Sequence, residues 1–150
     1  MKTLAPLLVA AVMVLCSCAQ RSEPHVVTSI RNDAGRDLSI TVGVAAGRVE
    51  TFPIRVGNTG ICDYGGTHWC DEQTDTMLVS DGLSRFTFTN ITAIIRLPDS
   101  LITRSCFFSP WTLHVSVASN MAIYAADSHG YVSPQPEGFP IHYAHRQDQR

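Results

Sequence analysis

The chain has 150 residues, with 11 Lys+Arg against 13 Asp+Glu and a formal net charge of −2. Lys2 is its lone lysine, which excludes Schiff-base chemistry on a lysine of the folded domain and the Gly-x-x-x-x-Gly-Lys phosphate loop. The weakly acidic balance excludes a basic patch that would neutralise nucleic-acid phosphates, and the length suits one domain rather than two.

The N-terminus reads as a secretory signal. Met1 and Lys2 give a small positive start, and Leu4 to Leu15 form an apolar run of 12 residues. That run is too short for a membrane-spanning helix of about 20 residues. Ser17 is a small residue of the kind that precedes a cut. The tetrapeptide Leu15-Cys16-Ser17-Cys18 that closes the run resembles the lipobox of bacterial lipoproteins, with Leu at −3 and Ser at −1. The resemblance implies that residues 1–17 are removed, that Cys18 carries acyl chains, and that the lipid bilayer is a partner through acylated Cys18. An ordinary signal peptide cut after Ala19 is the alternative. Each buried methylene of such an anchor contributes about 0.8 kcal/mol, and stable attachment takes more than one chain. Ala19, where Asp would favour the inner membrane, implies the outer membrane of a two-membrane cell, with the domain facing the periplasm. Residues 18–24 then form the lipidated cysteine and a polar tether ending at Pro24. Without Lys2, ten arginines face thirteen acids, a charge of −3.

From His25 onward the hydrophobic period is two, the signature of half-buried strands. A strand is expected near 26–31, then Asn32-Asp33-Ala34-Gly35 as a turn. Leu38, Ile40, Val42 and Val44 alternate with Ser39, Thr41 and Gly43. The 48–56 run contains Pro53, which has no N–H to donate and places that strand at an edge or a bulge. Asp81-Gly82 between 76–80 and 84–90 is a hairpin signal. Residues 91–97 suit either a strand or a helical turn. Trp111, Leu113, Val115 and Val117 alternate with Thr112, His114 and Ser116, and Ser119-Asn120 can close that strand against 121–126. About seven strands with short turns predict an all-β fold for residues 25–126, a small antiparallel β-sandwich or, alternatively, a small β-barrel. Residues 127–150 hold Pro134, Pro136 and Pro140 with Gly130 and Gly138, a composition for an extended segment on the domain and a frayed polar end. Within it, Pro134-Gln135-Pro136-Glu137-Gly138-Phe139-Pro140 resembles the end of small bacterial lipoproteins without a characterised activity, and implies no activity here.

The loop from Cys62 to Asp75 is the candidate site. Cys62 and Cys70 flank two glycines and two aromatics, and in an oxidising compartment their default is a disulfide. Such a small loop contributes about 2–3 kcal/mol through the unfolded state. Cys106 is an alternative partner for either one. Tyr64, His68 and Trp69 on a pinned loop are candidate partner-binding residues, aromatic anchors being enriched at interface hot spots. Asp71 and Glu72, with Asp63 and Asp75, make the loop acidic and suited to a cationic partner. Its bland counterpart is a solvated acidic loop around a buried Trp69. The acidic spacing does not fit a calcium-binding EF-hand.

Metal binding by Cys62, His68 and Cys70 needs reduced thiols, which the compartment disfavours. Cys106, His114 and Met121 have the ligand types of a blue-copper site, but their gaps are too long for its single ligand loop. His142 and His145 fall in the polar terminus. No metal site and no cofactor are therefore assigned. No Gly-x-Ser-x-Gly or His-Glu-x-x-His occurs, and Asp127-Ser128-His129 suits local turn hydrogen bonds better than a triad, so no catalytic residue is assigned either. The sequence points to a membrane-anchored, non-enzymatic lipoprotein of the cell envelope acting as a protein-interaction or assembly module, with an envelope protein as partner and no nucleic acid. An inhibitor or immunity-type lipoprotein that blocks a toxin or lytic enzyme is the alternative, and a periplasmic metal binder the second.

Overall fold

The computed structural model describes residues 26–44, 48–62, 76–89, 91–103 and 111–149. The chain forms strands β1 (Val26–Asp33), β2 (Leu38–Val44), β3 (Arg48–Ile54), β4 (Thr59–Cys62), β5 (Met77–Ser80) and β6 (Ser84–Phe88). One turn of helix, Thr92–Ile95, then leads to β7 (Ile102–Thr103), β8 (Trp111–Ala118), β9 (Ile123–Asp127), β10 (Gly130–Tyr131) and β11 (His145–Asp148). They assemble into two sheets, ordered β10-β9-β8-β1-β4 and β11-β6-β5-β2-β3, with β7 also paired to β8. The pairings are antiparallel except that β1 and β8 run parallel, from Val26↔Trp111 to Asp33↔Ala118. The sheets pack face to face as a small β-sandwich.

The alternation explains the packing. Ile30, Leu113, Val115, Val117, Ile123 and Ala125 line the inner face of the first sheet, all buried. Leu38, Ile40, Val42, Met77, Val79 and Phe88 do so from the second. Each of these larger side chains, fully removed from water, contributes about 1.5–3 kcal/mol against the entropy of ordering the chain, and Ala125 less. Residues 91–97 resolve in favour of the helical turn: Thr92–Ile95 is helical, and Ile91, Ile94 and Leu97, spaced by three, are buried. Among the described residues β3 pairs with β2 alone, so Pro53 lies in an edge strand, where a missing N–H is tolerated. The β5–β6 hairpin turns on Gly82 and Leu83, one position later than the Asp81-Gly82 signal suggests. Asp81 N–H donates to the Ser84 carbonyl at 3.2 Å, and Gly82 takes φ +84°, which primed hairpin turns demand.

Asn32 ties the sheets together at one corner. It is fully buried, and its Nδ2 donates to the carbonyls of Arg36 at 2.9 Å and Ile54 at 2.8 Å. Its Oδ1 accepts from Ala34 N–H at 3.0 Å, and its main chain exchanges bonds with Asn58 and Gly57. The turn after β1 and the turn between β3 and β4 are thereby fastened to one side chain.

The C-terminal segment differs from a frayed end. Ile141 is buried and bridges to Ile123, and β11 pairs antiparallel with β6, from His145↔Thr87 to Asp148↔Ser84. All four β11 side chains are exposed, so no alternation marks it. Main-chain ladder bonds, an Asp148–Ser84 hydrogen bond of 2.7 Å and Arg146 stacked 5.6 Å from the Phe86 ring centre hold it instead. Among the described residues, no helix is long and apolar enough to cross a membrane.

Candidate functional site

The outer face of the β10-β9-β8-β1-β4 sheet brings together a set of polar side chains from β1, β4, β8, β9 and β10. Parallel register sets Ser29 beside His114 and Arg31 beside Ser116. The antiparallel neighbours bring Thr59 next to Arg31, Tyr124 next to Ser116, and Tyr131 next to Ala126. Residues far apart in the chain thus converge because paired residues share a face of the sheet.

Asp33 is the centre of this face. Ser116, itself buried, donates its hydroxyl to Asp33 Oδ2 at 2.7 Å. Arg31 Nε donates to Asp33 Oδ1 at 2.9 Å. Burial alone would push the Asp33 carboxyl up, but hydrogen bonds from Ser116, Arg31 and the Tyr131 hydroxyl outweigh it and hold the group below its ordinary value. Tyr131 is pushed up, first by burial and then by the Asp33 charge, against the Ser116 bond, and stays a neutral donor. His114 Nε2 lies 3.0 Å from Thr103 Oγ1. Burial lowers the His114 pKa against the opposing pull of Asp127, so the imidazole is neutral at pH 7. Asp127 caps its own turn, accepting from His129 N–H at 2.7 Å and Gly130 N–H at 3.0 Å. This is the local bonding expected of Asp127-Ser128-His129.

Two clefts lie on either side of Asp33, which lines both. One, of about 230 Å³, is walled by Ser29, Arg31, Thr59, His114 and Asp127. The other, of about 440 Å³, is walled by Ser119, Asn120, Tyr124, Tyr131 and Gln135. The two tyrosine rings meet edge to face, with centroids 5.3 Å apart and planes at 64°. Asn120 Nδ2 donates to the Tyr124 hydroxyl at 3.1 Å. Gln135 clamps the far wall, accepting from Ala125 N–H at 2.9 Å and donating to the carbonyls of Ala125 at 3.0 Å and Val132 at 2.7 Å. The result is a firmly braced polar trough with an aromatic wall.

Of the residues singled out in the sequence, His114, Asp127 and Ser128 line the trough. Cys18, Tyr64, His68, Trp69, Cys70, Asp71 and Glu72 lie outside the described residues, as does Cys106. Cys62 is the last residue of the edge strand β4. His114 and Met121 do not form one site, since His114 is on the outer face while Met121 is buried with the core cluster. His142 and His145 are exposed. Among the described residues, no three His, Cys, Asp or Glu side chains gather into a metal site. The trough carries no short motif. Its trace in the sequence is the polar half of two alternating strands, Ser29-x-Arg31-x-Asp33 and His114-x-Ser116, whose convergence needs the parallel β1–β8 register. Comparison with protein-family models, curated proteins and solved structures returned no match for this chain.

Proposed function

We propose that the chain is a lipid-anchored, non-enzymatic module of the bacterial cell envelope that binds a partner close to the membrane surface. The observation that carries this reading is the Leu15-Cys16-Ser17-Cys18 tetrapeptide at the end of a short apolar run. A tether over residues 19–24 reaches about 20 Å at roughly 3.3–3.6 Å per residue, so the β-sandwich works next to the bilayer. The outer-face trough supports a binding role: Ser116 and Arg31 hold Asp33, and main-chain N–H groups hold Asp127, which fixes a polar surface in place.

Fractionation of cells tests the anchor. Cys18→Ser is expected to move the protein from the membrane to the soluble fraction and to abolish incorporation of labelled fatty acid. Membrane retention and labelling equal to wild type would remove the anchor and this reading with it.

A further inference from the structure

We propose that the trough on the outer face of β1, β8, β9 and β10 is a binding site for a neutral oligosaccharide. The inference rests on reading the chain as a binding module and names the ligand class of that module's site.

The lining has the chemistry that a sugar demands. A pyranose ring presents C–H groups on its faces and hydroxyls around its rim. The C–H groups, slightly positive, favour the electron-rich face of an aromatic ring. Tyr124 and Tyr131 supply an angled aromatic wall in the larger cleft. Tyr131 is 49 % exposed and its ring packs edge to face on Tyr124, so the ring is both braced and accessible. Hydroxyls both donate and accept, and are best met by groups of mixed character. Asn120 and Ser119 lie beside the rings, and Ser29, Thr59 and His114 continue the polar lining beyond Asp33, while Gln135 is spent on the main chain of the wall.

Charge argues against the other small ligands. Arg31 is the trough's arginine and is bound to Asp33, while Asp127 adds a second carboxylate. A phosphate or polycarboxylate would face net negative potential. An ammonium group would have to share Asp33 with Arg31 and Ser116. A neutral polyol needs neither charge. The larger cleft, about 440 Å³, lies within the range of ligand-binding pockets. Rigidity completes the match: Ser116 fixes Asp33 from below, and the Gln135 clamp fixes the wall behind the tyrosines, so little ordering is left for the ligand to impose.

The test is a titration of the intact lipidated protein in detergent micelles with tetramers of N-acetylglucosamine, glucose and mannose, followed by calorimetry and by amide NMR shifts. At least one tetramer is expected to bind saturably, with shifts clustered at Asp33, Ser116, Asn120 and Tyr131. Tyr131→Ala is expected to weaken that binding at least 10-fold, Tyr131→Phe to retain most of it, and Val49→Ala, exposed on the opposite sheet, to leave it unchanged. No saturable binding by the wild type, shifts confined to the β11-β6-β5-β2-β3 sheet, or a Tyr131→Ala variant that binds as wild type would each overturn the inference. Fractionation of Cys18→Ser reports on the anchor alone, so a protein that is anchored yet blind to all three sugars loses the saccharide site and keeps the envelope reading.

Discussion

Asn32 shows how a single polar side chain can define a corner of an apolar fold. A buried amide is stabilising only if its donors and acceptor are all met, and here two carbonyls and one N–H meet them. Asn32→Ala strands those three groups away from water, and is expected to lower unfolding free energy by about 2–4 kcal/mol. Urea unfolding measures it, and a loss below half a kcal/mol would show that water replaces the amide at no cost. Met121 carries the opposite lesson. The alternation with Ile123 reads as strand, yet Met121 occupies the turn at φ +61° with its side chain buried. A residue other than glycine is held in the left-handed region because its apolar side chain fills the core.

At the scale of elements, legibility follows the inner faces. β2, β8 and the β5–β6 hairpin are visible because Leu38, Ile40 and Val42, or Leu113, Val115 and Val117, alternate strictly with polar neighbours. β10 and β11 are invisible because a strand with no buried side chain leaves no period. The trough is invisible for a related reason: Ser29, Arg31, Asp33, His114 and Ser116 look like solvent-facing background until the β1–β8 register sets them side by side. β11 also shields the edge of β6. Deleting residues 145–150 removes its ladder, the Asp148–Ser84 bond and the Gln149 N–H bond to the Leu83 carbonyl at 2.7 Å. The truncated chain is expected to lose about 1–3 kcal/mol of stability and to self-associate through the opened edge. Urea unfolding and sedimentation across a concentration series would show both, and a truncation that stays as stable and monomeric as the full chain would count against a structural role for β11.

For the whole molecule, acid is the natural stress. Burial would raise the Asp81 carboxyl, but N–H groups of Ser84 and Leu83 and the Arg36 charge hold it below its ordinary 3.8. Arg36 lies 3.0 Å from it, and the Asp81 side chain is 2 % exposed. Asp33 is likewise depressed. A depressed carboxyl contributes stability that is present above its unfolded value and lost as pH falls through its folded one. His114, lowered from 6.5, acts in the same direction from a higher start, because below pH 6.5 the unfolded chain gains a proton that the folded chain refuses. Urea midpoints are therefore expected to fall in two stages, from pH 6.5 downward and again below pH 4. His114→Gln should flatten the first stage, and Asp81→Asn should lessen the second, which Asp33 shares. A midpoint that rises on acidification would reverse the assignment.

The parallel union of β1 with β8 also decides how the fold bears tension. A pull applied at Val26 along the axis of β1 meets two neighbouring strands at once. The bonds to β8 and to β4 are then loaded together in shear, instead of being peeled open one after another as at a hairpin end. A domain entered through β1 is mechanically braced at the point where its leading chain would drag on it.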